Sequence, residues 1–316
     1  MRQPNSKTSH GSRPASKGSR MSLQAASDPL VTVVIPTYNR AGLVVRAVRS
    51  ALESGSDDAR VIVVDDASTD DTLQRLADVE DDRLQVLTQT RGGAPVARNR
   101  GAAAADTPWL LFLDSDDELL RDGLGHLTCC LVPDVGLASG DQLRKHRDGS
   151  VTRAGPWDLS FLSPGATALL GSGTYAVSTQ LFLAVGGFDA DLASAQHTDL
   201  AFRLVPKMSE QGLRILHLAK PIAVHHIGSP LSIRKDQRAV LQGTEALIQR
   251  HLALLKAKPR VLADYHGVAG VAASRSKEPA RARRHFAAAV RYQPTSLKRW
   301  MRFMISCLPF GSRLWR

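Results

Sequence analysis

The chain has 316 residues, 43% of them hydrophobic and 5% aromatic, with a formal charge of +11 at pH 7. That length and composition allow one large α/β domain with an appendage, and no apolar run is long enough for a membrane span. Cys129, Cys130 and Cys307 make neither a metal cluster nor a disulfide framework, so a reducing compartment is the default.

The first 28 residues are rich in Ser, Lys, Arg, Gly and Pro and lack the apolar stretch of a secretory signal. They read as a disordered basic arm, and Met21 offers an alternative start. Residues 31–36 are a β-branched run closed by a proline, a first strand. After a turn at Thr37-Tyr38-Asn39-Arg40, apolar residues recur at helical spacing from Leu43 to Leu52. Residues 60–64 form a second strand ending in Asp65-Asp66. The next helix carries Leu73, Leu76 and Ala77, with Ser68 or Thr69 as the expected N-cap. Residues 84–87 are a third strand, and Gly92, Gly93 and Pro95 lead into a small-residue helix over 96–105.

A fourth strand, 109–113, is a short uncharged run that ends in Asp114-Ser115-Asp116-Asp117. Such a run is a strand buried on both faces. Carboxylates this close repel, and two placed two apart on an extended chain point to one side, a donor set suited to Mg²⁺ or Mn²⁺. The alternative is an acidic loop with Asp117 and Glu118 in the first turn of a helix. Strands alternating with helices mean a parallel sheet with covered faces, whose ligands sit beyond the carboxyl ends of the strands. The loops after the four strands, including Gln89-Thr90-Arg91, therefore all fall on one rim.

Four blocks in order carry a resemblance. They are residues 33–40 (VVIPTYNR), 63–72 (VVDDASTDDT), Gly92-Gly93 with 97–101 (ARNRG), and 113–117 (LDSDD). Together they resemble family 2 glycosyltransferases. The resemblance covers residues 31–120 and continues more weakly to about 235. It implies an α/β GT-A-like fold: a mostly parallel central sheet flanked by helices, with a C-terminal helical tail. It implies a donor half over 29–131, an acceptor half over 132–235 and a helical basic tail over 236–316.

Roles follow by the same resemblance. Pro36, Thr37 and Tyr38 line the nucleotide pocket, with Tyr38 free to stack on the base. Asp66 accepts the imide hydrogen of a uracil, while Asp65 caps the helix that follows. Arg98 reaches the base or a phosphate, or else is a helix-surface cation. Asp114, with Ser115, contacts the ribose or a metal-bound water, and Asp116 holds the metal that bridges the donor diphosphate.

Beyond residue 131 the alternation stops. Short antiparallel strands are expected around 135–139, 141–144 and 151–153, then an irregular acceptor side over 156–174. Ser178 caps a short helix over 179–185. Where the family carries an acidic pair ahead of Asp199-Leu200, this chain has Gln196-His197. His197 is therefore the expected base, with Asp199 the competitor or merely a helix-opening acid. Strands are expected at 214–218 and 222–229. The resemblance suggests that a histidine at the end of the second meets phosphate or metal, His226 before His225, the alternative being a half-buried histidine.

Helices are then expected over 239–255, 261–273, 280–290 and 296–307, the third resembling a single tetratricopeptide-type unit. From Arg275 to the end there are eleven Lys and Arg against one acid, Glu278. This favours an anionic partner such as a membrane surface, or else a solvated helical face. Few aromatics accompany the charge, so nucleic acid is not expected.

The chain therefore reads as a metal-dependent inverting glycosyltransferase. It would move a sugar from a nucleotide-diphosphate donor, a UDP-sugar foremost, to a hydroxyl of a glycan, lipid-linked or cell-envelope acceptor. A cytoplasmic protein in peripheral contact with the inner face of the membrane is expected. The alternative is a non-catalytic protein that binds sugar nucleotides or anionic polymers. A nicotinamide dehydrogenase is excluded, because Pro36-Thr37-Tyr38-Asn39 replaces the glycine fingerprint after the first strand.

Overall fold

Alternation along the first strands sets the layers. The structure, a computed structural model, describes residues 30–55, 59–228 and 236–308, so the arm expected over 1–28 lies outside the described residues. The first part of the chain runs β1 (Val31–Thr37), α1 (Ala41–Leu52), β2 (Ala59–Asp65), α2 (Thr72–Ala77), β3 (Leu84–Thr88), α3 (Ala94–Ala104) and β4 (Trp109–Phe112). Val31, Val33 and Ile35 of β1 face one side of the sheet with Trp109 and Leu111 of β4. Val34, Leu110 and Phe112 face the other. α1 covers the first side with Val44, Ala47, Val48 and Ala51, a helical stripe buried on the strands. α3 covers the second so closely that a Cβ on Gly101 would run into the Val34 side chain.

The second part begins with β5 (Glu118–Leu119), α4 (Gly123–Thr128), β6 (Val135–Lys145) and β7 (Val151–Ala154). It continues through β8 (Trp157–Asp158), β9 (Thr167–Ala168), β10 (Tyr175–Ser178), α5 (Thr179–Ala184), α6 (Gln196–Glu210) and β11 (Arg214–His226). The main sheet has the order β3-β2-β1-β4-β10-β6-β11-β5, with β7 paired to β6. β3, β2, β1 and β4 are parallel; β10 then enters antiparallel and β6 and β11 run parallel to each other. This is a mixed α/β sheet. Its register sets Thr37 beside Asp65 and Asp65 beside Thr88, so β1, β2 and β3 end level.

Several expectations are corrected. The strands expected at 135–139 and 141–144 are one strand, β6, because its buried Asp141 is paired with His217 across β11 and with Arg153 of β7. The strands expected at 214–218 and 222–229 likewise join as β11, which passes Pro221 with shifts in register. The irregular stretch 156–174 contains the small β8–β9 pair. Ser178 does cap α5, accepting the Leu181 N–H at 3.4 Å.

The tail is α7 (Gln237–Arg250), α8 (Leu252–Lys256), α9 (Pro259–Arg275), α10 (Pro279–Tyr292) and α11 (Leu297–Cys307). The helix expected over 239–255 breaks at His251, whose ring turns toward Asp199 of α6. Leu247, Leu255 and Leu262 pack there with Phe202 of α6. Phe286 of α10 closes a second cluster with Leu241 and Ala269.

Candidate active site

The loops after β1 and β2 are sewn to each other. Asn39 has a left-handed backbone (φ 49°), and its Oδ1 accepts the Thr69 N–H at 2.7 Å. The Asn39 N–H in turn donates to the Ser68 hydroxyl at 2.9 Å. Asp70 accepts from Ala41 N–H at 3.3 Å and Thr72 N–H at 3.1 Å, one carboxylate serving the starts of two helices. This corrects the cap expected at Ser68 or Thr69: α2 starts only at Thr72, and the Ser68 hydroxyl serves the neighbouring loop. Asp65 caps a turn and not the helix, accepting the Ser68 N–H at 3.0 Å. Its Oδ1 and the Thr37 Oγ1 are buried without a partner in the structure.

Asp66 is the anchor of the loop between β3 and α3. Its Oδ1 accepts from Gln89 Nε2 at 2.8 Å and Gly92 N–H at 2.7 Å. Its Oδ2 accepts from Arg91 Nη1 at 2.9 Å and Gly93 N–H at 2.8 Å. Gly93 reaches it with φ 86°, a backbone that glycine adopts without strain. Four donors fill the lone pairs of a carboxylate. The Arg91 guanidinium also lies over the Tyr38 ring, 3.2 Å from its centroid. Pro36 and Thr37 are buried at the foot of this loop, whereas Tyr38 is exposed.

The acidic stretch after β4 does not open a helix. Asp117 N–H donates to Asp114 O at 3.0 Å, a turn, and the chain then enters β5. The turn, not an extended chain, gathers the carboxylates: one oxygen each of Asp114, Asp116 and Asp117 lies within 4.8 Å of the others. Three oxygens so placed, with the hard-ligand chemistry of carboxylates, fit a Mg²⁺- or Mn²⁺-type ion. Each also has a cationic or imidazole neighbour. Arg40 Nη1 lies 2.7 Å from Asp116 Oδ2, Arg98 Nη2 2.5 Å from Asp114 Oδ1 and His225 Nδ1 2.8 Å from Asp117 Oδ2. Ser115 between them is buried.

Burial pushes the Asp114 carboxyl up, but the charge of Arg98, then that of His197, holds it below the usual range. Asp117 goes the other way. Burial raises it, with the like charges of Asp114 and Asp116 behind, and the bond to His225 only partly offsets this.

Arg98 is not a surface cation. It is buried and spans the cleft, with Nη1 donating to Gln196 Oε1 at 2.8 Å and Nη2 to Asp114. Gln196 and His197 open α6 directly after Ala195, whose φ is 62°. His197 Nδ1 lies 3.1 Å from the Tyr175 hydroxyl. The edges of Tyr175 and Phe188 hold the His197 ring at centroid distances of 5.8 and 5.2 Å.

Asp199, one half-turn on, is buried and faces elsewhere. It accepts from Arg203 Nε at 3.0 Å and Nη2 at 2.5 Å, and lies 2.8 Å from His251 Nε2. Burial would raise its carboxyl, but the bonds from His251 and Arg203 hold it below the usual range, which makes it a poor base. His226 Nε2 lies 2.6 Å from Glu118 Oε1 and its backbone N–H donates to Asp117 Oδ1 at 3.1 Å, while His225 Nδ1 lies 2.8 Å from Asp117 Oδ2. Trp157, Phe161, Thr198, Phe202 and Tyr265 line a hollow of about 260 Å³.

Sequence reasoning missed Arg40, Tyr175 and the place of Asp117. Arg40 and Asp117 stood in the quoted blocks without a role, whereas nothing local marks Tyr175.

Comparison with known proteins bears on this geometry. Residues 32–128 match the family model described as glycosyl transferase family 2. The succinoglycan biosynthesis protein ExoO of Rhizobium meliloti is 41% identical over 97 residues, 30% of this chain and 28% of that protein. A putative teichuronic acid biosynthesis glycosyltransferase, TuaG of Bacillus subtilis, is 38% identical over 99 residues, 30% and 39% of the two chains. A GalNAc(5)-diNAcBac-PP-undecaprenol beta-1,3-glucosyltransferase of Campylobacter jejuni is 36% identical over 103 residues, 31% and 33%. The chain thus matches about a third of the length of these relatives.

Two solved structures share the fold over most of the chain. S. aureus TarS 1-349 in complex with UDP-GlcNAc aligns with a TM-score of 0.64 at 17% identity, over 90% of this chain and 88% of that one. The mannosyltransferase PcManGT from Pyrobaculum calidifontis, in complex with GDP-Man and Mn²⁺, aligns at 0.57 and 20% identity, over 92% and 87%. The fold is the GT-A arrangement.

Proposed function

With residues 32–128 a glycosyl transferase family 2 domain, we propose that the protein transfers a sugar, with inversion, from a nucleotide-diphosphate donor to an acceptor hydroxyl. One observation carries the reading: the turns after β1, β2 and β4 end on one rim of the sheet, where Asp66 anchors the β3–α3 loop and the Asp114–Asp116–Asp117 turn is tied through Arg98 to Gln196 at the start of α6.

The nucleotide lies against Tyr38, Pro36 and Thr37, and the base is uracil. Arg91 occupies the face of Tyr38 and one lone pair of Asp66. Its side chain is also the exposed member of that ion pair, 54% against 3%. Moving Arg91 aside frees an aromatic face and a carboxylate acceptor together, which is what stacking on a base and accepting its imide N–H require. Asp114, Asp116 and Asp117 would hold a Mg²⁺ or Mn²⁺ ion, with His225 behind Asp117. Such an ion, when bound, neutralises charge on the diphosphate as the sugar–oxygen bond breaks. His226 is left out of this set, since Glu118 holds its ring.

Arg98 keeps Asp114 ionised and ties the donor side to α6 through Gln196. His197, with Nδ1–H donating to the Tyr175 hydroxyl, takes the proton of the acceptor hydroxyl on Nε2. The acceptor oxygen bonds to the anomeric carbon as the bond to the diphosphate breaks, and the nucleoside diphosphate leaves. Asp114 beside the ring favours the imidazolium that forms. The acceptor, a glycan or lipid-linked cell-envelope precursor, enters over residues 156–174, where the aromatic-lined hollow gives a surface for a sugar ring. The enzyme works on the cytoplasmic face of the membrane, held there through its basic tail.

The test is a panel of sugar nucleotides, scored by hydrolysis and thermal shift with and without Mn²⁺, on the parent and on Asp116→Ala. One UDP-sugar is expected to be turned over with metal, and Asp116→Ala to lose the metal-dependent shift. Binding without turnover of any donor would favour the binding protein instead, and no binding at all would overturn both.

A further inference from the structure

Helix α11 has two unlike faces. Arg299, Phe303 and Ser306, spaced i, i+4 and i+7, turn toward the rest of the tail. Arg299 Nη1 donates to Ala263 O at 2.7 Å and Nη2 meets Asp264 at 2.9 Å. Phe303 packs on the α9–α10 cluster, and Ser306 is buried. At 100° per residue, Leu297, Met301, Met304 and Leu308 fall together on the opposite side, with Trp300 at their edge. These five large side chains are between 43% and 74% exposed. The row is continuous and apolar, and among the described residues nothing covers it.

Charge says what should. Lys298 is exposed beside the row on α11, and Arg283, Arg284 and Arg291 are exposed on α10, which packs against it. Glu278 is the one acid from Arg275 onward. A second copy of the chain seated here would bring two such cationic borders together, a costly arrangement. An anionic lipid surface meets both demands, apolar depth for the row and negative charge for its border. Eleven residues make a helix of about 16 Å, too short to cross a bilayer and suited to lie in its surface. No helix among the described residues is long and apolar enough to span a membrane. Trp300 Nε1–H already donates to Pro294 O at 2.8 Å, so its ring can enter the acyl boundary without stranding a donor.

We propose that α11 is an in-plane membrane helix whose Leu297–Trp300–Met301–Met304–Leu308 face docks the protein on anionic lipid. This deepens the membrane part of the function proposed above and is independent of the donor chemistry.

The experiment is co-sedimentation of the full chain with vesicles of phosphatidylcholine alone and of phosphatidylcholine mixed with phosphatidylglycerol. Binding to the mixed vesicles is expected, weakening as salt is raised. Leu297→Glu with Met304→Glu should lower the partition coefficient by about tenfold or more, since two apolar side chains stay in water. Lys298→Glu should lower it several-fold on mixed vesicles only. Both variants should keep the parent's melting temperature and its donor turnover, so failure of docking and failure of catalysis are read separately. Equal partition of the parent and the double variant would overturn the proposal. So would ultracentrifugation showing a dimer that the double variant dissolves, which would make this face an interface between copies.

Discussion

Asp66→Asn tests whether the acidic residue after β2 builds its loop or only reads a ligand. The carboxylate is 2% exposed and accepts four hydrogen bonds, two of them from the backbone of Gly92 and Gly93. An amide can place only one oxygen there. If its nitrogen takes the Oδ1 position, Gln89 can turn its own amide to suit, but the Gly92 N–H then faces a donor. If it takes the Oδ2 position, both Gly93 N–H and Arg91 do. The cheaper arrangement strands one backbone N–H, roughly 1–2 kcal/mol, and weakens the remaining bonds by loss of charge, about 0.5 kcal/mol each. The share of Arg91 is discounted because its side chain is 54% exposed. The sum is about 3 kcal/mol, or roughly 6–12 °C in melting temperature for a domain of this size. The assay is thermal and urea unfolding of parent and variant with no nucleotide present. A variant melting within about 1 °C of the parent would refute the reasoning, since the four bonds would then contribute almost nothing.

Three further outcomes are expected. His197→Ala should lower kcat by about 10²–10⁴ with donor affinity nearly unchanged, whereas Asp199→Asn should lower stability and leave the pH–rate profile in place; the reverse pattern would move the base to Asp199. His266, half-buried against His285 and stacked on Tyr292, has its imidazole pushed down from 6.5 to about 4, first by desolvation and then by the His285 charge. The unfolded chain therefore takes that proton first, so stability falls as pH drops from 6.5 toward 4 and this contribution changes no further below. His266→Gln should flatten that window in urea midpoints, and an unchanged slope would refute the assignment. Gly101→Ala should cost about 1–3 kcal/mol, less a helix-propensity gain of about 1 kcal/mol, because the added methyl meets Val34 and Val64; a more stable variant would show that α3 is not seated so tightly.

The sheet and its rim were legible because their signals are local. Runs such as Val61–Val64 and Trp109–Phe112 state their burial by composition, and each strand announces its loop. What stayed hidden depends on partners far along the chain. Asp141 looks like a break between two strands until His217, 76 residues on, is seen beside it. Asp199 looks like a helix-opening acid or a base until Arg203 and His251 occupy it. Residue type does not say which of His225 and His226 turns its ring to Asp117; in the folded chain it is His225, while the His226 ring meets Glu118. Asp114 and Asp116 were expected to meet through the pleat of an extended chain, whereas a turn brings them together and adds Asp117.

The His251–Asp199 bond also makes the tail more than an appendage. α6 carries Gln196 and His197 at the cleft and, within the same turn, Asp199 clamped from outside by a residue of the last five helices. A chain cut after β11 would lose that clamp and leave a buried anion leaning on Arg203 alone. The His251 imidazole thus joins the tail to the helix that begins with Gln196 and His197.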